Sequence, residues 1–377
     1  MNVNHFFSEC LDFLRPRKRF IIPIVIVVIL KIVAFLWIQL SINWRPDLFS
    51  FDYWWETFTI WDGGWYNLIA KHWYNTIPLA DPLPMEQVFA FPPLFPALIR
   101  GLGFLIGSID ISQVIISSIF GITWIPLFQL VAEQYLDHDQ AFFVTIIASL
   151  FPLVFVFTSV GYSEGLFLTL TLSSYYLYLK NRHFPSSLLL AAACLSRLFG
   201  ILLFVPIFLD RIAKRRYREV LIYFIPALTL LSWLLYAFIR TANLFAVFYS
   251  QTYWGDNKFI LQYVLPTFFQ ANPPYSVNLP VPEAFVGLVF CVFTIFCLLS
   301  LKVRELDWKL ALYSFLTFLV VAFSGNIHSY SRYFSFIFPV WLLFRTKKSF
   351  YLIPIVCILM FTDLLIMYLF ARWVFLG

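Results

Sequence analysis

The chain has 377 residues, 61% of them hydrophobic and 12% charged, with a formal net charge of +6 and a mean hydropathy of +0.83. A soluble domain carries about 25% charged residues, so this chain has too few polar groups to cover itself in water, and lipid must solvate most of it. Its basic residues sit between apolar runs instead of forming one patch, which argues against nucleic-acid binding and for a positive-inside arrangement.

Phe20–Ile42 is the first apolar run. It is too long for the apolar core of a cleaved signal peptide and ends in no small-residue cleavage site, so it reads as a signal anchor. Basic clusters lie at Arg15–Arg19, just before it, and then at Lys180 with Arg182, Arg211–Arg218, Lys302 with Arg304 and Lys309, and Arg345 with Lys347 and Lys348. Placing all five in the cytoplasm leaves four crossings between the first two clusters: Phe20–Ile42, Ile111–Tyr135, Ala141–Thr158 and Glu164–Leu179. The run Phe91–Gly107 is left over; with Pro92, Pro93 and Pro96 at its start and Arg100 inside it, it reads as a re-entrant or surface helix on the outer side. Phe184–Leu209 must then return to the side it started from, as a broken hairpin bending near Ser196–Gly200. Each half spans about half a bilayer at 1.5 Å per residue, and broken helices are tolerated where they line a polar cavity. A single helix with a snorkelling Arg197 is the alternative. Further helices are expected over Val220–Arg240, Ala284–Leu301, Leu310–Phe323, Tyr333–Phe344 and Phe350–Phe370. Asn43–Ala90, Thr241–Glu283 and Ser324–Arg332 become outer segments, with Tyr162-Ser163-Glu164 also facing out. The five cysteines form no CxxC pair and the five histidines no HxxxH pair, which argues against a disulfide framework or zinc site. No internal repeat of the kind common in transporters is visible.

Asn43–Ala90 holds Trp44, Trp54, Trp55, Trp61, Trp65 and Trp73, a residue type enriched at the membrane–water boundary. Within WDGGWYNLIAKHW, residues Trp61, Trp65, Leu68, Ile69 and His72 fall on one helical face. An amphipathic helix along the outer leaflet is therefore expected, with Asp62 near its N-terminus. There Asp62 could serve as an N-cap, but Asp52, Glu56 and Glu86 share its loop, and acids at a lipid boundary are costly without a purpose. Asp137-His138-Asp139 spells the DxD pattern of many metal-dependent nucleotide-sugar enzymes, yet the topology puts it in a solvated cytoplasmic loop.

The stretch Trp61–Tyr74, then Glu86 and Phe91-Pro92-Pro93-Leu94-Phe95-Pro96, resembles the signature of the phosphatidylinositol-glycan class V mannosyltransferases. Tyr162-Ser163-Glu164 and Leu190–Gly200 resemble two further motifs of that family, although Leu198-Phe199 replaces its Ser-Asn. Ser331-Arg332-Tyr333 with Phe338-Pro339 is a third, weaker match. The resemblance implies an all-α, polytopic transmembrane bundle of the GT-C type. It also implies a hexosyltransferase that moves a sugar, mannose by the family's habit, from a polyprenyl-phosphate donor to a lipid or glycan acceptor outside the cytoplasm. Residues 1–240 would form the catalytic core, including outer loop 43–110, and 241–377 an outer loop and C-terminal helices of one continuous membrane domain. A bacterial inner membrane is the expected site, or the endoplasmic reticulum in a eukaryote. Asp62 sits where the family carries its catalytic base. One carboxylate suffices for inversion, because no covalent intermediate forms. The departing lipid phosphate needs cationic support, for which Arg197 and Arg332 are the candidates. Glu86, Glu164, Tyr66 and Tyr333 would bind or orient acceptor or donor. No metal ligands are assigned and no cofactor is called for, with a divalent metal left open. The rival class is a transporter or flippase for a polyprenyl-linked sugar, which has no need of an acid-bearing outer helix.

Overall fold

The computed structural model describes residues 18–44, 54–75, 85–250, 307–323, 330–344 and 352–371. Asp52, the expected helix 284–301 and most of the second outer segment lie outside these residues. All regular structure among the described residues is helical. Four helical stretches are long and apolar enough to cross a membrane: Lys18–Asn43, Ile109–Ala132, Tyr217–Thr241 and Leu352–Ala371.

The helices are α1 (Lys18–Trp44), α2 (Asp62–His72), α3 (Leu94–Ile106), α4 (Ile109–Ala132), α5 (His138–Ser149), α6 (Pro152–Phe157), α7 (Glu164–Leu179), α8 (His183–Ser196), α9 (Gly200–Ala213), α10 (Tyr217–Ile222), α11 (Phe224–Thr241), α12 (Ala246–Tyr249), α13 (Trp308–Phe323), α14 (Tyr330–Ser335), α15 (Phe338–Trp341) and α16 (Leu352–Ala371). Short 3-10 turns over Glu56–Phe58, Met85–Ala90 and Leu342–Phe344 complete the described elements. Helix α7 lies at the centre of the bundle, with most of its residues buried, packed between α4 and α8.

The expected break in the Phe184–Leu209 run is present. Arg197 is extended (φ −151°, ψ 139°) between α8 and α9. A Cβ at Gly200 would lie 2.6 Å from the backbone nitrogen of Cys194, so only glycine lets the chain turn this closely onto the end of α8. The two halves return antiparallel, since Arg211 near the end of α9 reaches His183 at the start of α8, at 3.5 Å. The hairpin is therefore observed, and the single snorkelling helix is not.

Two expected helices are interrupted. Ala141–Thr158 divides at Leu150 and Phe151 into α5 and α6, because Phe151 precedes Pro152 and takes the extended conformation (φ −67°, ψ 127°) that proline imposes on its predecessor. Tyr333–Phe344 likewise breaks at Phe336 and Ile337, so that Pro339 falls in the first turn of α15, where its missing N–H is not needed. Residues 94–106 form the short helix expected there, and its Arg100 donates to the Ala70 carbonyl oxygen at the end of α2, at 3.1 Å.

The described residues of the five basic clusters gather at one end of the bundle. Arg19 pairs with Glu133 at 2.9 Å, and Lys180 donates to Gln134 at 3.1 Å. Asp210 accepts from the Tyr178 hydroxyl at 2.6 Å and pairs with Arg211 and with Lys214 at 3.1 Å. Asp307 holds Lys309 at 2.7 Å, and Lys309 reaches Asp210 at 3.9 Å. These contacts join the start of α1, the ends of α4, α7 and α9 and the start of α13, as a single-sided arrangement of the charge clusters requires. Asp137 is the N-cap of α5, accepting from the Gln140 backbone N–H at 2.8 Å. The DxD pattern is thus a helix start, and no cluster of potential metal ligands occurs among the described residues.

Candidate active site

At the opposite end, α2 packs against α3 and α4 and meets the loop before α7. Its first residue, Asp62, follows Trp61, whose φ of 56° is in the left-handed region. This conformation is costly for a bulky residue and persists only where the surroundings impose it. The Asp62 backbone N–H donates to the Tyr162 hydroxyl at 3.1 Å. Gln113 of α4 donates through Nε2 to the carbonyl oxygens of Gly63 and Gly161, both at 2.7 Å, tying the first turn of α2 to the loop. The buried face of α2 is Gly63, Tyr66, Asn67, Ile69 and Ala70, one strip round from the expected one. Of the expected strip only Ile69 is buried; Trp61, Trp65, Leu68 and His72 are half-buried. The rotation follows from the anchors: Asn67 bonds Gln113 at 3.1 Å, and Trp65 stacks on Phe91 with ring centroids 6.0 Å apart.

The Asp62 side chain caps no helix. Its Oδ2 accepts from Arg332 Nη1 at 2.7 Å. Arg332, on α14, is completely buried and donates through Nε to Glu164 Oε1 at 2.6 Å. Glu164 Oε1 also receives Arg197 Nη1 at 2.7 Å. Two carboxylates and two guanidinium groups thus form one chain, Asp62–Arg332–Glu164–Arg197, with zero net formal charge. The Arg332 guanidinium lies 4.6 Å from the Phe157 ring centroid and 4.7 Å from that of Tyr162, and Tyr333 faces Arg197 at 5.4 Å. Aromatic faces support a desolvated cation. Within the chain, access is unequal: the Asp62 side chain is 21% exposed and that of Glu164 only 2%.

Ser163 is not the cap of α7 that its position suggests. Its hydroxyl bonds the Tyr66 hydroxyl at 2.7 Å and accepts from Arg197 Nη1 at 3.3 Å. Tyr66 is buried, its ring wedged against Phe91 and Phe95 at 5.0 and 4.9 Å, so it has no free face for a sugar. Burial pushes the hydroxyls of Tyr66 and Tyr162 above the usual phenol range, which keeps both as protonated hydrogen-bond donors. A cleft beside the charge chain is lined by Glu164, Arg197, Phe199, Tyr313, Thr317 and Tyr333, among others.

The structure therefore brings together Asp62, Glu164, Arg197, Arg332 and Tyr333, with Tyr66 behind them. Glu86 does not join; it is half-buried in the 3-10 turn Met85–Ala90 and makes no ion pair with the chain among the described residues. Sequence reasoning missed Ser163 as a link in the network, and it missed Gln113 and Tyr162 as the groups that place Asp62. It also passed over Lys31 and Asp363, both inside apolar runs. Asp363 is fully buried with neither carboxylate oxygen partnered among the described residues. A charge within a spanning run was the available signal for both.

No family model matches the chain, and no curated protein matches it. Among solved structures it is similar to the Archaeoglobus fulgidus oligosaccharyltransferase in its apo form, with a TM-score of 0.47 and 12% identity, covering 92% of this chain. The chain spans about half of that enzyme's length, 55%.

Proposed function

We propose that the protein is a membrane glycosyltransferase of the GT-C type, in which Asp62 removes the acceptor's hydroxyl proton as that oxygen attacks the anomeric carbon of a polyprenyl-phosphate sugar. The motif resemblance to the phosphatidylinositol-glycan class V enzymes supports the reading, with a hexose, mannose by that resemblance, as the transferred sugar. The observation that carries it is the Asp62–Arg332–Glu164–Arg197 chain, which joins the acid of the outer helix to two arginines from distant parts of the sequence.

The residues divide the work by access. Asp62 is the open carboxylate, and a base within hydrogen-bond reach of the acceptor hydroxyl is what the step requires. Glu164, buried and committed to two arginines, is unsuited to act as a nucleophile, so a single displacement with inversion follows. Arg197 borders the cleft, and its planar fork suits a phosphate. A donor phosphate entering there competes with Glu164 for Arg197; Glu164, so released, draws Arg332 more fully to itself, which loosens Arg332 from Asp62 and frees the base as the donor arrives. The described parts of 43–90 are helical and tied to the bundle through Gln113, which supports the enzyme reading over a transport pathway.

The test is mass spectrometry of the glycolipids and glycoproteins of cells lacking the gene, complemented with wild type or Asp62→Asn. Wild type restores a missing hexose and Asp62→Asn, present in the membrane at equal level, does not. A positioned general base contributes about 10²–10⁴-fold, so turnover of the purified variant falls by that order. Full restoration by Asp62→Asn, or no glycan missing in the deletion, overturns the reading.

A further inference from the structure

Lys31 lies midway along α1, a spanning helix, and the charge chain makes no use of it. Its ammonium donates to the carbonyl oxygens of Thr158 at 2.7 Å and Gly121 at 3.2 Å. The approach depends on a bare backbone: a Cβ at Gly121 would lie 2.8 Å from Lys31 Nζ and 1.9 Å from the Thr158 oxygen. An ammonium has three N–H donors, and two are used. Carbonyl dipoles supply no counter-charge, and Lys31 makes no ion pair among the described residues.

Beside this ammonium is a cavity of about 270 Å³. Its walls include Phe35 of α1, Phe58 of the 3-10 turn Glu56–Phe58 and Met367 of α16, with the hydroxyl-bearing Ser118 and Ser159 among the lining residues. Phe35 and Phe58 stack at 5.8 Å to form one side. Among the described residues, Lys31 is the only charged one that lines it. Ile32 lines the cavity while remaining 54% exposed, and Ile29 and Ile119 nearby are each 53% exposed. The rim is therefore on the lipid-facing surface of a spanning helix, where the available solutes are lipids.

We propose that this cavity binds the phosphate of an anionic phospholipid, with Lys31 as its counter-charge and the apolar walls taking the start of an acyl chain. An ammonium held at membrane depth by dipoles alone is poorly compensated, and one phosphate oxygen completes it through the third N–H and a charge-assisted bond. A free anion in water would not reach a lipid-facing rim, and a zwitterionic lipid would bring its own cation to compete with Lys31. The site stands apart from the glycosyl-transfer reading, because none of its residues belongs to the Asp62–Arg332–Glu164–Arg197 chain.

Native mass spectrometry of the full chain in neutral detergent, titrated with dioleoylphosphatidylglycerol or dioleoylphosphatidylcholine, tests the proposal. Phosphatidylglycerol should bind at least about tenfold tighter, as one added charge-assisted bond implies, and Lys31→Met should abolish the preference. Glycerol phosphate at the same concentration should not compete. Equal binding of the two lipids, a preference that survives Lys31→Met, or full displacement by glycerol phosphate overturns the proposal. Should Lys31→Met fail to fold, Val114→Trp narrows the cavity and leaves the lysine in place: loss of the preference supports the site, and its retention refutes it.

Discussion

Glu164→Gln is the most demanding test of the charge chain. In the native protein Arg332 and Arg197 converge on one carboxylate oxygen, at 2.6 and 2.7 Å, and the four groups sum to zero charge. The substitution keeps the shape and one acceptor oxygen but leaves two guanidinium groups facing a single carboxylate, Asp62. Breaking a buried pair by removing one partner costs about 3–5 kcal/mol. Asp62→Asn also leaves one positive charge in excess, but its carboxylate is 21% exposed, so water takes over part of its role and the cost should be about 1 kcal/mol or less. At about 2 °C per kcal/mol for a large domain, Glu164→Gln should lower the thermal midpoint by about 6–10 °C and Asp62→Asn by about 2 °C. Unfolding in detergent is to be compared at one fixed scan rate, because irreversible unfolding makes the midpoint rate-dependent. Adding Arg197→Gln to Glu164→Gln restores neutrality and should recover part of the loss. If Glu164→Gln is no more harmful than Asp62→Asn, or if the second change makes matters worse by its own full cost, the four groups do not act as one compensated unit.

Two further outcomes follow from the same geometry. Arg197→Ala should abolish use of polyprenyl-phosphate sugar while the protein still inserts; normal donor affinity in the purified variant would show that the residue only neutralises Glu164. Tyr66, with its phenol raised by burial, holds its proton in the folded state when the unfolded chain begins to lose it near pH 10. The stability it contributes is complete below that pH and is lost as pH rises further, at about 1.4 kcal/mol per pH unit. Alkaline unfolding of Tyr66→Phe should therefore be shallower by that slope, and an unchanged slope would count against the buried, protonated phenol.

Much of the architecture was legible in the residues. Apolar runs with basic clusters between them specify spanning helices and gather the charges at one end, because lipid forces every backbone group into a helix and the charges out of it. The bend at Ser196–Gly200 follows from the same rule, since a hairpin alone keeps Arg182 and Arg211 together. The helix Asp62–His72 was visible as a 3.6-residue pattern, but its buried face was not: hydrophobic spacing favours the tryptophans, whereas Gln113 and Phe91 set the rotation. Local capping rules would offer Asp62 and Ser163 as helix caps, whereas each side chain has a stronger tertiary partner than a backbone N–H. Proline marked the breaks at Pro152 and Pro339, which run-length counting smoothed over.

Only the tertiary structure could join the site. Asp62 and Arg332 are 270 residues apart and Glu164 and Arg332 are 168 apart, and nothing in a linear pattern says which acid a distant arginine will meet. The same holds for Lys31, whose partners are two backbone carbonyl groups on other elements. Sequence determines which groups are too costly to bury alone, whereas helix packing decides which of them lie within 3 Å of one another. A charge inside a membrane bundle must be compensated by whatever the packed neighbours supply.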